Sequence, residues 1–297
     1  MKAPAVALAV DSRCELGECI LWCERHSTLF WTDISGARLW MHRPDSGETR
    51  GWNVPAPLGC FALCDDGRLL LGFAKGLYLA DPARCDGEAL PLSHVVDVEP
   101  QLDHTRINDG RCDRDGNFVF GTKSEGPAAD GSFYQFSFRC GLRRLDLPHA
   151  AIPNSICFSH DGRTLYFCDS RVAEILCCTY DAPSAAVGDL RAFVRIDAGS
   201  PDGSIIDADG CLWNAQWGAA RVVRYLPDGS VGDSIAMPVK NPSCCAFGGS
   251  SLDRLYVTTA REEMTDAELA AMPQAGGVYR IDLAGAKGLV ENRVAMA

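Results

Sequence analysis

The chain has 297 residues, 47% of them hydrophobic and 23% charged, with 28 Lys and Arg against 39 Asp and Glu for a formal net charge of −11. That balance excludes a disordered chain and argues against nucleic acid or an anionic membrane as the main partner. The length suffices for a large core without staples, and no run approaches the ~18 consecutive apolar residues of a membrane span.

In chain order, Met1 to Val10 is a short apolar run with one basic residue, Lys2, broken by Asp11, Arg13 and Glu15 where a leader would place its cleavage site. No secretory signal is expected. The 15 cysteines are odd in number, include the adjacent pairs Cys177-Cys178 and Cys244-Cys245, and contain no Cys-x-x-Cys. They lack the spacing of zinc knuckles and redox sites and sit in apolar runs as small hydrophobes. A cytoplasmic location is expected.

From Leu29 the chain repeats. Strand-like runs begin at Leu29, Leu69, Phe118, Leu165, Leu212 and Leu255. Four of them follow an Asp-Gly dipeptide, Asp66-Gly67, Asp115-Gly116, Asp161-Gly162 and Asp209-Gly210, a hairpin signal in which both central residues tolerate positive φ. A second short strand follows each run, at Arg38–Met41, Gly76–Leu79, Ser132–Gln135, Glu174–Cys177, Arg221–Arg224 and Gly277–Arg280. Six copies of an all-β unit of roughly 45 residues predict a six-bladed β-propeller, read as a single domain over residues 1–297; an all-β sandwich is the competing fold. The one helix signal is the capping box Thr265-Asp266-Ala267-Glu268, a short insertion in the last blade.

The repeat also serves as a ruler. Glu18, Asn108, Asn154 and Asp202 each lie 10 or 11 residues ahead of a blade's anchor run, so they share one phase on the strands that line the channel. Blades two and six carry Leu58-Gly59 and Pro242-Ser243 there. A ring of two carboxylates and two carboxamides at one end of the central channel suits a hard divalent cation, which would remove the repulsion between the acids.

These residues carry a family resemblance. Leu16-Gly17-Glu18 with Trp22, Arg106-Ile107-Asn108-Asp109-Gly110, Gly121-Thr122, Asn154-Ser155, Pro201-Asp202-Gly203, Ala246-Phe247-Gly248-Gly249 and Ala275-Gly276-Gly277 run in family order. Together the chain resembles the SMP-30/gluconolactonase, or regucalcin-like, sugar lactonases. The resemblance implies hydrolysis of an aldonolactone or aldarolactone, with one divalent metal ion held by Glu18, Asn154 and Asp202. Calcium, zinc, magnesium, manganese and iron(II) are not distinguished. It also implies Asp202 as the general base and substrate contacts from Arg106, Asn108 and Glu125. The chain departs from the family where Cys19-Ile20 and Ser155 stand in place of Gly-Pro and Gly.

Competing chemistries lack their signatures: there is no Gly-x-Ser-x-Gly, phosphate loop or His-Glu-x-x-His. The six histidines fall mostly near predicted turns, with His104 a candidate for the channel mouth. Lys123 is a further candidate for a substrate carboxylate, weighed against an ordinary solvated lysine. A non-catalytic calcium-binding module and a related metal-dependent esterase or phosphotriesterase stay open as alternatives. The oligomeric state is not legible.

Overall fold

The computed structural model describes residues 4–297; Met1, Lys2 and Ala3, the start of the N-terminal run, lie outside the described residues. Six four-stranded antiparallel sheets make up the chain. The predicted anchor runs are the second strand of each sheet, as in Thr28–Asp33 and Thr164–Asp169, and the predicted partners are the third. The first strands are Gly17–Cys23, Leu58–Leu63, Thr105–Cys112, Pro153–Phe158, Ser200–Ile206 and Asn241–Gly248. Each packs on the next and the sixth packs on the first, closing the ring of a six-bladed β-propeller.

Closure is completed by the chain's beginning. Blade six has only three strands in sequence, and Val6–Val10 adds the fourth by pairing Val6 with Ile281 and Leu8 with Tyr279. Aromatic rings weld neighbouring blades: Trp22 stacks on Tyr256 at 6.3 Å and Phe133 meets Phe167 edge-on at 4.9 Å. Small thiols fill the narrow centre. All cysteines are free, and every one but Cys140 is buried.

The Asp-Gly hairpins differ from the two-residue turn the sequence suggests. Only the glycines take positive φ, Gly67 at 92° and Gly116 at 82°. The loop closes with Gly67 N–H on Cys64 O at 3.2 Å and Cys64 N–H on Arg68 O at 2.8 Å. That is a type I turn followed by a left-handed glycine bulge, and the first Asp-Gly residue needs no unusual backbone.

The helix Asp266–Ala271 forms with its capping box on Thr265 and Glu268, between the second and third strands of blade six. Among the described residues no helix is long and apolar enough to cross a membrane. His42 departs from the surface reading: it is buried within Arg38–Arg43, hydrogen-bonded to Thr49 Oγ1 at 2.8 Å, and burial lowers its pKa.

The last residues, which the repeat does not predict, lie against the far ends of the inner strands. Glu291 pairs with Arg111 at 2.8 Å, both side chains 8% exposed. Asn292 donates to Cys112 O at 3.1 Å, and Val294 bridges to Cys64. This strap lies at the opposite end of the strands from Glu18 and Asn108.

Candidate functional site

Each inner strand loses its regular register at the phase picked out by the ruler. The ladder shifts between Glu18 and Leu21, Leu58 and Cys60, Ile107 and Gly110, Asn154 and Cys157, Pro201 and Ser204, and Pro242 and Cys244. A bulge re-aims the side chains beside it, and here the ring of six bulges surrounds the mouth of the channel. Cys19 at φ 45° and Ser155 at φ 61° follow Glu18 and Asn154 directly. Neither is glycine, so the left-handed backbone holds strain beside both side chains.

Two aspartates fix the approach to these bulges. Asp33 accepts the Glu15 and Leu16 N–H groups at 3.1 and 3.0 Å, just ahead of Glu18. Asp169 does the same for Ala151 and Ile152 at 2.7 and 3.1 Å, just ahead of Asn154.

The mouth holds a cleft of about 190 Å³ lined by Glu18, Arg106, Asn108, Lys123, Asn154 and Asp202, with Ser170, Arg171, Trp217, Glu262 and Glu263 around them. Asn154 Nδ2 donates to Ser170 Oγ at 2.9 Å, and Asn154 Oδ1 accepts from Asn108 Nδ2 at 3.2 Å. Asn108 Nδ2 also reaches Pro153 O, while its Oδ1 accepts from Arg106 Nη1, each at 3.0 Å. Arg106 Nε binds Glu125 Oε1 at 2.8 Å.

Burial and mutual repulsion dominate the acids. Burial first, then the charge of Asp109, pushes the Glu18 carboxyl up to about 8, against the lowering effects of the Cys19 N–H hydrogen bond, the Asp202 side chain and the Arg106 charge. Burial and the Glu18 and Asp109 charges also drive Asp202 upward. Asp202 Oδ1 is buried without a hydrogen-bond partner. Its backbone carbonyl is held by Ser155 Oγ at 2.8 Å and Asn214 Nδ2 at 2.9 Å, so the side chain is aimed by a fixed main chain.

No group of three or more His, Cys, Asp or Glu side chains placed to hold a metal occurs among the described residues. The donor set at the mouth is instead two carboxylates and a carboxamide, all oxygen. Two buried acids that repel one another, with one oxygen unpartnered, fit a hard divalent cation.

Five of the six site residues read from the sequence line one cleft. Glu125 stands outside its lining, 52% exposed, and reaches it through Arg106. His104 lies outside too, paired with Asp130 at 3.1 Å. Lys123, weighed as a solvated lysine, is half-buried in the wall, and burial lowers its pKa. Sequence reasoning did not reach Asp109, whose carboxylate accepts Ile156 N–H at 3.0 Å across blades, although it stands within the quoted Arg106–Gly110 segment. Glu262 and Glu263 were also missed; they belong to an insertion with no counterpart in the other blades.

Residues 16–261 match the model of the SMP-30/gluconolactonase/LRE-like region. The chain is 49% identical to L-arabinolactonase of Azospirillum brasilense over 93% of this chain and 91% of that protein. It is 34% identical to 6-deoxy-6-sulfogluconolactonase of Pseudomonas putida, covering 91% and 92%. Among solved structures, the calcium-binding protein regucalcin from Agrobacterium tumefaciens superposes with a TM-score of 0.89 at 31% identity, over 99% of both chains.

Proposed function

The chain belongs to the SMP-30/gluconolactonase/LRE-like family and is a sugar lactonase, and we propose that it opens a sugar-acid lactone with one divalent cation held by Glu18, Asn154 and Asp202. The observation that carries this reading is the buried, unpartnered Asp202 Oδ1 beside Glu18 in a polar cleft. When bound, such a cation supplies a Lewis acid for the ester carbonyl and makes water a better nucleophile at neutral pH.

The chain's own residues do the rest. Water adds to the ester carbon, the bond from that carbon to the ring oxygen breaks, and the freed hydroxyl takes up a proton. Asp202 accepts the proton of the attacking water as general base. Arg106 is clamped by Glu125, Ile107 O and Asn108, which leaves its remaining N–H groups for substrate oxygens. Asn108 ties Arg106 to Asn154, so it orients one side chain for the substrate and one for the cation. The pairing of Val6–Val10 with the last blade supports one propeller domain over 1–297, and the free buried thiols support a reducing cytoplasm. With a net charge of −11, neither nucleic acid nor an anionic membrane is a partner in this reading.

The two relatives above are named for an L-arabino lactone and a sulfonated gluconolactone, so a panel of freshly made sugar lactones, assayed with and without chelator and corrected for spontaneous opening, tests the proposal. Chelator-sensitive opening of at least one lactone is expected. Calcium binding without turnover of any would favour a binding module, the reading suggested by the name of the regucalcin neighbour.

A further inference from the structure

In a six-bladed ring, blades three and six face one another across the channel. Lys123 stands on the second strand of blade three, opposite Arg106 in the ladder. Glu262 stands on blade six, two residues beyond the strand Arg254–Ala260. Both line the cleft that contains the unpartnered Asp202 Oδ1. No ion pair forms between them; Lys123 feels Arg106 beside it first, then Glu125 and Glu262 through space, and Arg171 last.

Glu262 is firmly placed. Arg261 N–H and Glu262 N–H both donate to Glu15 O, at 3.0 and 2.9 Å. Asn241 Nδ2 donates to Glu262 O at 2.9 Å, and Ser35 Oγ donates to its Oε2 at 2.8 Å. Next to it Glu263 is held at φ 61°, with Trp217 Nε1 on its carboxylate at 3.1 Å.

Charge by charge, the cleft's cations are nearly offset. Arg106, Lys123 and Arg171 in the lining stand against Glu262 and Glu263 in the same lining and Glu125 on the outer side of Arg106, while Glu18 and Asp202 would be matched by a dication. A substrate carboxylate entering this cleft would meet no surplus positive charge and would face Glu262 directly, whereas hydroxyl groups find acceptors on one wall and donors on the other. We propose that Glu262, set against Lys123 across the mouth, is a specificity residue that keeps the cleft neutral. It thereby selects lactones substituted with hydroxyls over lactones bearing a second carboxylate.

This rests on the lactonase reading, and the test separates the two. The probes are a matched pair of 1,4-lactones, galactonolactone and galactarolactone, which differ only in a hydroxymethyl or a carboxylate at C6. The parent protein should prefer the first. Glu262→Gln keeps the Ser35 contact and removes the charge, so it should raise the galactaro-to-galactono ratio of kcat/KM by about tenfold or more. Adding Lys123→Met should cancel that gain, because the uncompensated cation is gone. In the parent, raising the salt concentration should raise the same ratio, a readout that needs no variant to fold. A ratio within about twofold of the parent in Glu262→Gln, or a gain that survives Lys123→Met, would overturn the inference while leaving lactone hydrolysis intact. A parent that opens no lactone would overturn both.

Discussion

At the strap end of the channel Arg111 meets Glu291 at 2.8 Å, and Asn292 satisfies Cys112 O and Arg114. At the mouth, a few residues away along the same strands, Glu18 and Asp202 are just as buried, yet they repel one another and one oxygen has no partner. Both ends bury charge. One end pairs it with an opposite charge, and the other sets like charges side by side. A buried ion pair with its hydrogen bonds made serves the fold, whereas a buried like-charged pair is tolerable only where a proton or a ligand neutralises it.

Substitutions should therefore separate the ends cleanly. Asp202→Asn should lower kcat on the best lactone by roughly 10²–10⁴-fold at saturating cation, with an unchanged circular dichroism spectrum. Equal turnover would move the general base elsewhere. Glu291→Gln should do the reverse: urea unfolding should show a loss of about 3 kcal/mol, because Arg111 is left buried without its counter-charge, while kcat stays near the parent value. A large fall in kcat there would mean the two ends are coupled through the strands.

Glu18→Gln should weaken cation binding by about tenfold or more by removing one ligand charge, and excess cation should restore turnover. Calorimetric titration with calcium or manganese measures the first, and a metal-dependence curve the second.

Smaller still is the effect of pH on the cation-free protein. The Glu18 carboxyl rises from 4.5 to about 8 on folding, and Asp202 moves in the same direction. The folded protein thus holds protons that the unfolded chain has released, so this contribution is complete below pH 4.5 and is lost as pH rises through about 8. The Tm in chelator should fall across that window, and a divalent cation should flatten the decline. Reductant should change least of all. The buried thiols are raised in pKa by burial, as at Cys157 and Cys244, so thiol counting should find them reduced.

What could be read in advance follows the same division. The blades were legible because glycine turns and apolar runs recur with the fold's own period, and Glu18, Asn108, Asn154 and Asp202 fell on that period. The six bulges were not, since a register shift depends on the neighbouring strand and leaves no mark in one strand's composition. Asp33 and Asp169 close two of the anchor strands, yet their hold on the loops before Glu18 and Asn154 appears only when second strand and first strand lie together. Glu262, Glu263 and the strap lie outside the repeat, so periodicity had nothing to say about them. Glu125 was placed by resemblance alone, and it turned out to reach the cleft only through Arg106.

The clasp between Val6–Val10 and Val278–Asp282 has a consequence for how the protein is made. A ribosome delivers the first strand of the clasp long before its partner, and at ~5–20 residues per second the wait is on the order of tens of seconds. During that time Val6–Val10, uncharged throughout, has no native edge to pair with, and the flanking charges of Lys2, Asp11, Arg13 and Glu15 discourage pairing with another nascent chain. The ring that shelters the mouth can close only after Val278–Asp282 has been made, with the strap still to follow.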